Sequence, residues 1–519
     1  MVTQNQAVAG ESGSGGQAIV ITTDLKKDAI GLGGVLMQSL TGMGPSLAAL
    51  FFTQEVVGIA GVTSPLAYLF GVLIVLMLGS TLAQLVKHMP SAGSYYTFVS
   101  RGLNPRLGFL TGWMTAMYMP FNMGPILGYF GFILANELRG NYGIQVSFLW
   151  WLFVLVGAVV IAVLAHYGIA LSIRVMVFFG LAEITLVWLL GLWGLFSPGR
   201  GGFNFSSFDP SKITGISAFA LAIAFSFQGM DGWEFAAPLA EETRNPRRNV
   251  PRAVMIAITG LGATLVIAYW GQVVGWGTSN LHSLATSVEL PGLVLAHRYW
   301  GGGWVLMLIA LFTSTFACCQ ALNNVSTRMS YRMACSGSAP KWLSKVDPVH
   351  KTPTNAIMLQ LVLTIGTGIG VGLALGPANS FFLIVGLLVV LTVVYVYVMA
   401  NAAVARYYWR EHRDEFNPIR HIFFPVFTSA ALIYVVIKTF QPMPAYPLNL
   451  APYIGGAWLL VGIILLFVMK WRGHEDWLRT AGEALGGVVP TAGEALHDVT
   501  PELISTDAVE GTFDAPPAY

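Results

Sequence analysis

The chain has 519 residues, of which 55% are hydrophobic and only 10% charged, with a mean hydropathy of +0.66 and a formal net charge of +2. A soluble globular protein carries about a quarter charged residues, so this composition excludes a soluble domain and indicates a polytopic, all-α membrane protein. The small net charge gives no electrostatic case for nucleic acid. Three cysteines, two of them adjacent at Cys318 and Cys319, predict no structural disulfide.

Residues 1–28 are polar and include a Gly/Ser stretch from Gly10 to Gly16. They predict a disordered cytoplasmic segment with no cleavable signal peptide. From residue 29 to residue 472, apolar stretches of roughly 20 residues predict twelve spans, beginning near residues 29, 64, 106, 147, 172, 214, 250, 302, 354, 378, 420 and 450. With the N-terminus inside, only Arg139, Arg200, Lys212, Arg298 and Lys438 of the 27 basic residues fall on the outer side. The positive-inside rule then puts both termini in the cytoplasm of a plasma (inner) membrane protein. Arg244, Arg247 and Arg248 share one inner loop and suit anionic lipid headgroups. Residues 473–519 are acidic, carry Pro490, Pro501, Pro516 and Pro517, and predict a disordered cytoplasmic tail.

Two spans are broken. The first is interrupted at Thr41-Gly42-Met43-Gly44-Pro45-Ser46, the sixth at Gly229-Met230-Asp231-Gly232. Unwound backbone is tolerated at membrane depth only where protein buries it or where it lines a cavity. Discontinuous helices at matching places in two halves point to a substrate site in a secondary transporter. At one common offset Gly42-Met43 falls on Gly229-Met230 and Glu55 on Glu242.

Three segments resemble the amino acid–polyamine–organocation (APC) superfamily. They are the sixth span with its following loop, Phe227 to Arg252, containing Glu241-Glu242-Thr243-Arg244-Asn245-Pro246; Arg328-Met-Ser-Tyr-Arg332 to Pro340; and Met89-Pro-Ser-Ala-Gly-Ser-Tyr-Tyr96 followed by Gly108-Phe-Leu-Thr-Gly-Trp113. The resemblance covers residues 28 to 410. It implies a leucine-transporter (LeuT) type fold, with spans 1–5 and 6–10 as an inverted repeat and two further helices. It also implies alternating access around a site between helices 1, 3, 6, 8 and 10.

An amino acid zwitterion needs its carboxylate and its ammonium matched separately. Amides at the start of the outer half of helix 1, with Gly44 and Ser46, suit the carboxylate. The resemblance would lead one to expect Gly-Ser-Gly there, and this chain has Gly44-Pro45-Ser46. Pro45 has no N–H to give, yet it also starts a helix well, and both readings stand. Carbonyls near Leu40, Thr41, Phe225 and Phe227, freed at the helix ends, suit the ammonium, while Gly42, Gly229 and Gly232 allow the breaks. Phe225 and Gln228 share a helical face, and the resemblance makes them an outer lid and a selectivity contact. Asp231 is an intramembrane carboxylate with a gating or coupling role, or a structural bond to unwound amides.

Glu183 lies near mid-depth of the fifth span, where the resemblance implies a lysine in many proton-coupled relatives. Three readings are open: it carries the coupling proton, it joins a cation site, or it makes a structural hydrogen bond. Glu55 is a vestibule or gate residue, and Asn122 and Asn323 are polar at membrane depth, where interhelical hydrogen bonds are the common use. The sequence shows no metal-ligand spacing, no cofactor motif and no nucleophile–base pair, so no enzyme, metal or cofactor is expected. The leading expectation is a secondary active importer of amino acids by proton-coupled symport, with sodium the lesser alternative. An importer of polyamines or amines and a nontransporting nutrient sensor are the other readings.

Overall fold

Apolar segments in a bilayer must satisfy their backbone internally, which leaves helices as the economical solution. The computed structural model describes residues 19–20, 25–287, 289–479, 481–482 and 488–489. In chain order its helices are α1 (Leu32–Gly42), α2 (Pro45–Phe51), α3 (Thr53–Ala60), α4 (Ser64–His88), α5 (Tyr95–Gly102), α6 (Pro105–Tyr142), α7 (Leu149–His166), α8 (Ile169–Phe196) and α9 (Ile216–Gln228). A ten-residue 3-10 helix, Trp233–Glu242, follows α9. Then come α10 (Pro246–Trp276), α11 (Leu281–Ala285), α12 (Pro291–Trp300), α13 (Val305–Cys335), α14 (Thr354–Ile365), α15 (Gly372–Leu375), α16 (Pro377–Phe381), α17 (Val389–Glu411), α18 (Phe424–Thr439) and α19 (Ala451–Trp471). Short π-helical turns, Gly366–Val371, Phe382–Leu388 and Ile419–Phe423, lead into α15, α17 and α18.

Among the described residues nine helical runs are long and apolar enough to cross a membrane, from Thr53–His88 to Leu448–Trp471. The protein is a multi-pass membrane protein. Three of the expected spans are not among the nine. Those at 29 and 214 are divided into helices of 11, 7 and 13 residues. The third, α6, is 38 residues long but carries Pro120, Asn122 and Pro125 inside it.

Two compact units are present, Thr23–Leu485 and a second made of 1–22 with 486–519. The described part of the second is an antiparallel pair, Ile19–Val20 with Val488–Val489. Residues 1–18, 21–24 and most of the tail, all expected to be disordered, lie outside the described residues, whereas Ile19–Val20 and Val488–Val489 are paired. The start of the tail departs from expectation. Asp476–Arg479 forms a 3-10 helix, the buried Trp477 ring stands 5.7 Å from Phe109, and Glu475 pairs with Arg106 at 2.9 Å. One buried indole accounts for the ordering of this otherwise polar stretch.

In the larger unit α10 packs on α4 and α8, and α13 on α6 and α8. The α8–α10 crossing is close because of glycine: a Cβ on Gly271 would lie 2.0 Å from the Gly191 carbonyl oxygen. The three segments that carry the superfamily resemblance meet at one place. Arg328 Nε on α13 donates to Glu242 Oε2 at 2.8 Å, with both side chains at most 1% exposed. The Ala92 amide donates to Glu241 Oε1 at 3.0 Å, and Arg332 Nε stands 3.9 Å from the same oxygen. Backbone bonds from Ile30 N to Glu242 O and from Arg244 N to Ile30 O tie the approach to α1 into this knot.

Breaking a buried ion pair on one side leaves an uncompensated charge. Arg328→Met should therefore destabilise the protein by about 3–5 kcal/mol, read as thermal unfolding in detergent. Adding Glu242→Leu should recover most of that loss, and no recovery would show that the pair acts through more than its charges.

Candidate functional site

The end of α1 and the start of α2 are separated by a short unwound stretch. The Met43 amide closes the helix on Ser39 O at 3.1 Å, and Gly44 takes a left-handed conformation at φ +57°. That conformation is costly for any residue with a Cβ, so glycine belongs there. Pro45 then opens α2 at a position that has no intrahelical use for an N–H. The end of α9 is followed by Gly229, Met230 and Asp231 as single turns, with Gly232 at φ +102° before the 3-10 helix.

The two breaks touch. A Cβ on Gly232 would lie 2.6 Å from the carbonyl of Gly42, and one on Gly42 would lie 2.5 Å from the Phe235 ring. Ser39 Oγ stitches them further, donating to Trp233 O at 2.7 Å and accepting from the Ala236 amide at 3.1 Å.

A small cavity of about 70 Å³ lies at this junction. From the first break it takes Gly42 and Met43, and from the second Gln228, Gly229 and Asp231. Leu47, Phe51, Phe52, Phe235, Phe381 and Val389 supply much of its apolar wall, and Asn122 of α6 and Cys318 of α13 complete its polar side. Phe51, Tyr129 and Phe381 form one aromatic cluster at the wall, with ring centroids 4.4 to 5.6 Å apart. Gln228 spends its amide on the chain itself, donating to Val385 O at 3.2 Å and Gly386 O at 2.7 Å.

Glu183 of α8 is fully buried and sits at the head of α2. The Ser46 amide points to its Oε2 at 3.5 Å, and the neighbouring Leu47 amide donates to Ser314 Oγ of α13 at 3.3 Å. Its other oxygen, Oε1, and the Ser46 hydroxyl have no hydrogen-bond partner among the described residues. A helix N-terminus attracts negative charge, and here the chain supplies that charge from its own side chain.

Asp231 shares its surroundings with a second carboxyl, Glu234, which the sequence reading did not single out. The Tyr118 hydroxyl donates to Glu234 Oε1 at 2.7 Å, and the Tyr397 hydroxyl to Asp231 Oδ1 at 3.4 Å. The Tyr95 ring lies 5.7 Å from Tyr397, and its hydroxyl is buried without a partner among the described residues. The only signal for Glu234 was its place three residues after Asp231. The tyrosines gave none, because tyrosine is expected at membrane interfaces.

Of the residues expected at a substrate site, Gly42, Gln228, Gly229, Asp231 and Asn122 line the cavity. Thr41 donates to Met37 O within α1, Gly44 and Ser46 face away into the α2 head, and Phe225 packs into the core; none of these lines it. Glu55 and Asn323 stand off the cavity wall as well, each with a buried polar atom that has no partner among the described residues. Although no metal cluster was expected, His166, Asp347 and His350 come together with ligand atoms within 4.8 Å of one another. Asp347 also caps its loop, and the hydrogen bond from the His350 amide is the first cause holding its carboxyl below the usual range.

The amino acid permease family model matches residues 34–481. The chain belongs to the amino acid permease family. As a permease it is similar to the uncharacterized amino acid permease YecA of Bacillus subtilis strain 168, at 27% identity over 57% of this chain and 67% of that protein. It is similar to the serine/threonine exchanger SteT of the same organism, at 26% over 58% and 66%. Similarity to the low-affinity putrescine importer PlaP of Escherichia coli K12 is 26% over 63% and 71%. The matched region spans about two thirds of the length of these relatives.

The Glu183 contact has a direct consequence for this permease. An unsatisfied buried donor costs about 1–3 kcal/mol, so Glu183→Leu should lower stability by that amount in thermal unfolding. Glu183→Gln keeps an acceptor for the Ser46 amide and should cost clearly less. Equal losses would mean that charge rather than the hydrogen bond matters.

Proposed function

We propose that this permease is a secondary active importer of a small ammonium-bearing solute, an amino acid or an amine, working by alternating access and driven by protons. The observation that carries the reading is the cavity lined by both helix breaks, through Gly42 and Met43 on one side and Gln228, Gly229 and Asp231 on the other. Breaks at membrane depth are tolerated where they line such a cavity, and half-helix ends are the usual ligands of transported solutes. Relatives named for serine and threonine exchange and for putrescine import span the same solute range.

The proposed architecture has twelve spans, ten of them in a LeuT-type inverted repeat. Its two discontinuous helices are α1 with α2, and α9 with the 3-10 helix that follows it. Both termini face the cytoplasm of the plasma membrane, with residues 473–519 following the last span. In this reading Thr41, Gly42, Gly44, Ser46, Phe225, Gln228, Gly229 and Asp231 belong to the two breaks that bind and release the solute. Glu183 carries the coupling proton: protonation would weaken its hold on the Ser46 amide and free α2 to move. Glu55, Asn122 and Asn323 are polar groups on the path through the protein.

The test is uptake into proteoliposomes under an imposed proton gradient and, separately, an imposed sodium gradient. Proton-driven accumulation in the native protein, reduced at least tenfold in Glu183→Gln with solute binding retained, is the expected result. Accumulation driven by sodium alone, or proton-driven accumulation unchanged in Glu183→Gln, would overturn the assignment of coupling.

A further inference from the structure

We infer that the solute is a primary amine with one ammonium group and an apolar body, and that it carries no carboxylate. The inference rests on the transporter reading above and narrows it to a substrate class.

The amides of the first break are all engaged. Met43 N donates to Ser39 O and Gly44 N to Thr41 O, Pro45 has none, Ser46 N faces Glu183, Leu47 N meets Ser314, and Ala48 N returns to Gly44 O. The second break is no freer, for Gly229 N, Met230 N and Asp231 N close on Phe225 O, Phe227 O and Gln228 O. Gln228 has given its side-chain amide to two carbonyls, and among the described residues no Lys, Arg or His lines the cavity. The Asn122 amide is the one side-chain N–H donor left on the described wall. A carboxylate brought here would lose its water and gain almost nothing, which is strongly unfavourable in an apolar site.

An ammonium finds the opposite situation. Asp231 is the one ionisable carboxyl on the described wall, and Asn122 Oδ1 is a buried acceptor without a partner among the described residues. The C-terminal ends of α1 and α9, the negative ends of their dipoles, both point to the junction. Phe51, Phe52, Phe235 and Phe381 line the cavity with aromatic surface that suits a cation and an apolar body. A second ammonium has no such partner. Glu234 is held by Tyr118 off the wall, and Glu55 is off it too.

The test compares matched pairs on the full-length protein, by thermal-shift binding in detergent and by uptake into proteoliposomes. Phenethylamine against phenylalanine adds only the carboxylate, and pentylamine against 1,5-diaminopentane adds only the second ammonium. The monoamine of each pair should bind at least tenfold more tightly. Asp231→Asn should lose at least tenfold in phenethylamine binding, with Phe381→Ala as a milder second variant that does not touch the charge. Phenylalanine or diaminopentane binding as well as its monoamine partner would overturn the inference, since Glu183 would then yield its amide or another carboxyl would reach the cavity. Uptake of phenylalanine but not phenethylamine sinks the inference and keeps the transporter. Binding of phenethylamine with no uptake keeps the inference and sinks transport, and neither binding nor uptake of any probe sinks both.

Discussion

An amide cut loose from its helix inside a membrane must find an acceptor, and in this permease the acceptor at the head of α2 is Glu183. Much else follows from that contact. It lets the chain be unwound at Met43 and Gly44, because Glu183 and Ser314 satisfy the first two free amides of α2. It anchors α2 to α8 and α13, the two helices that contribute those side chains. It also removes the positive end of a helix dipole from the cavity, so that the wall facing the solute is left with the negative ends of α1 and α9 and with Asp231.

The carboxylates of this protein are consequently divided between two kinds of work. Glu241 and Glu242 stand beside Arg332 and Arg328 and hold the end of the 3-10 helix against α13 and the segment before α5. Glu183, Asp231 and Glu234 have no cation beside them among the described residues and are met by amides and hydroxyls instead. Glu55 and Glu242, which fall on one another at the sequence offset that aligns Gly42-Met43 with Gly229-Met230, make the contrast explicit. Glu242 is locked in a bidentate contact with a buried arginine, while Glu55 has a buried oxygen without a partner among the described residues. A buried pair serves to fix one arrangement, and a buried carboxyl without a fixed partner is free to change charge or company.

Much of this was legible in the sequence, and the rest was hidden for definite reasons. Gly44-Pro45 and Gly229 to Gly232 marked where α1 and α9 end, because glycine and proline punctuate helices by their backbone chemistry alone. Family membership was legible because Glu241-Glu242, Arg328 with Arg332, and Met89 to Gly93 are distinctive segments, although nothing in one dimension said that they were each other's partners. Glu183 stood out as a charge at mid-depth, but its partner amide is 137 positions away in the chain. The aromatic wall was invisible. Phe51, Tyr129 and Phe381 sit in apolar runs where a core aromatic and a cavity aromatic look the same. The order of residues 476–479 was missed because one tryptophan outweighed an acidic, proline-containing context.

The stitching also constrains how the cavity could open. On one side of Gly44, α1 is fastened to the 3-10 helix by Ser39, by the Gly42–Gly232 backbone contact and by the Ile30 bonds to Glu242 and Arg244. On the other side, α2 is fastened to α8 and α13 through Glu183 and Ser314, and Gln272 of α10 donates to Ala49 O at 2.9 Å. Both sets run to α13, through Arg328 to Glu242 and Gln38 to Ala321 O on the first side and through Ser314 on the second, and the unwound pair Met43 and Gly44 lies between them against the cavity. A hinge needs only a few residues that can absorb a change in dihedral angles, and Gly44 is already in a conformation open to glycine. Moving α2 away from α8 would require Glu183 to surrender the Ser46 amide.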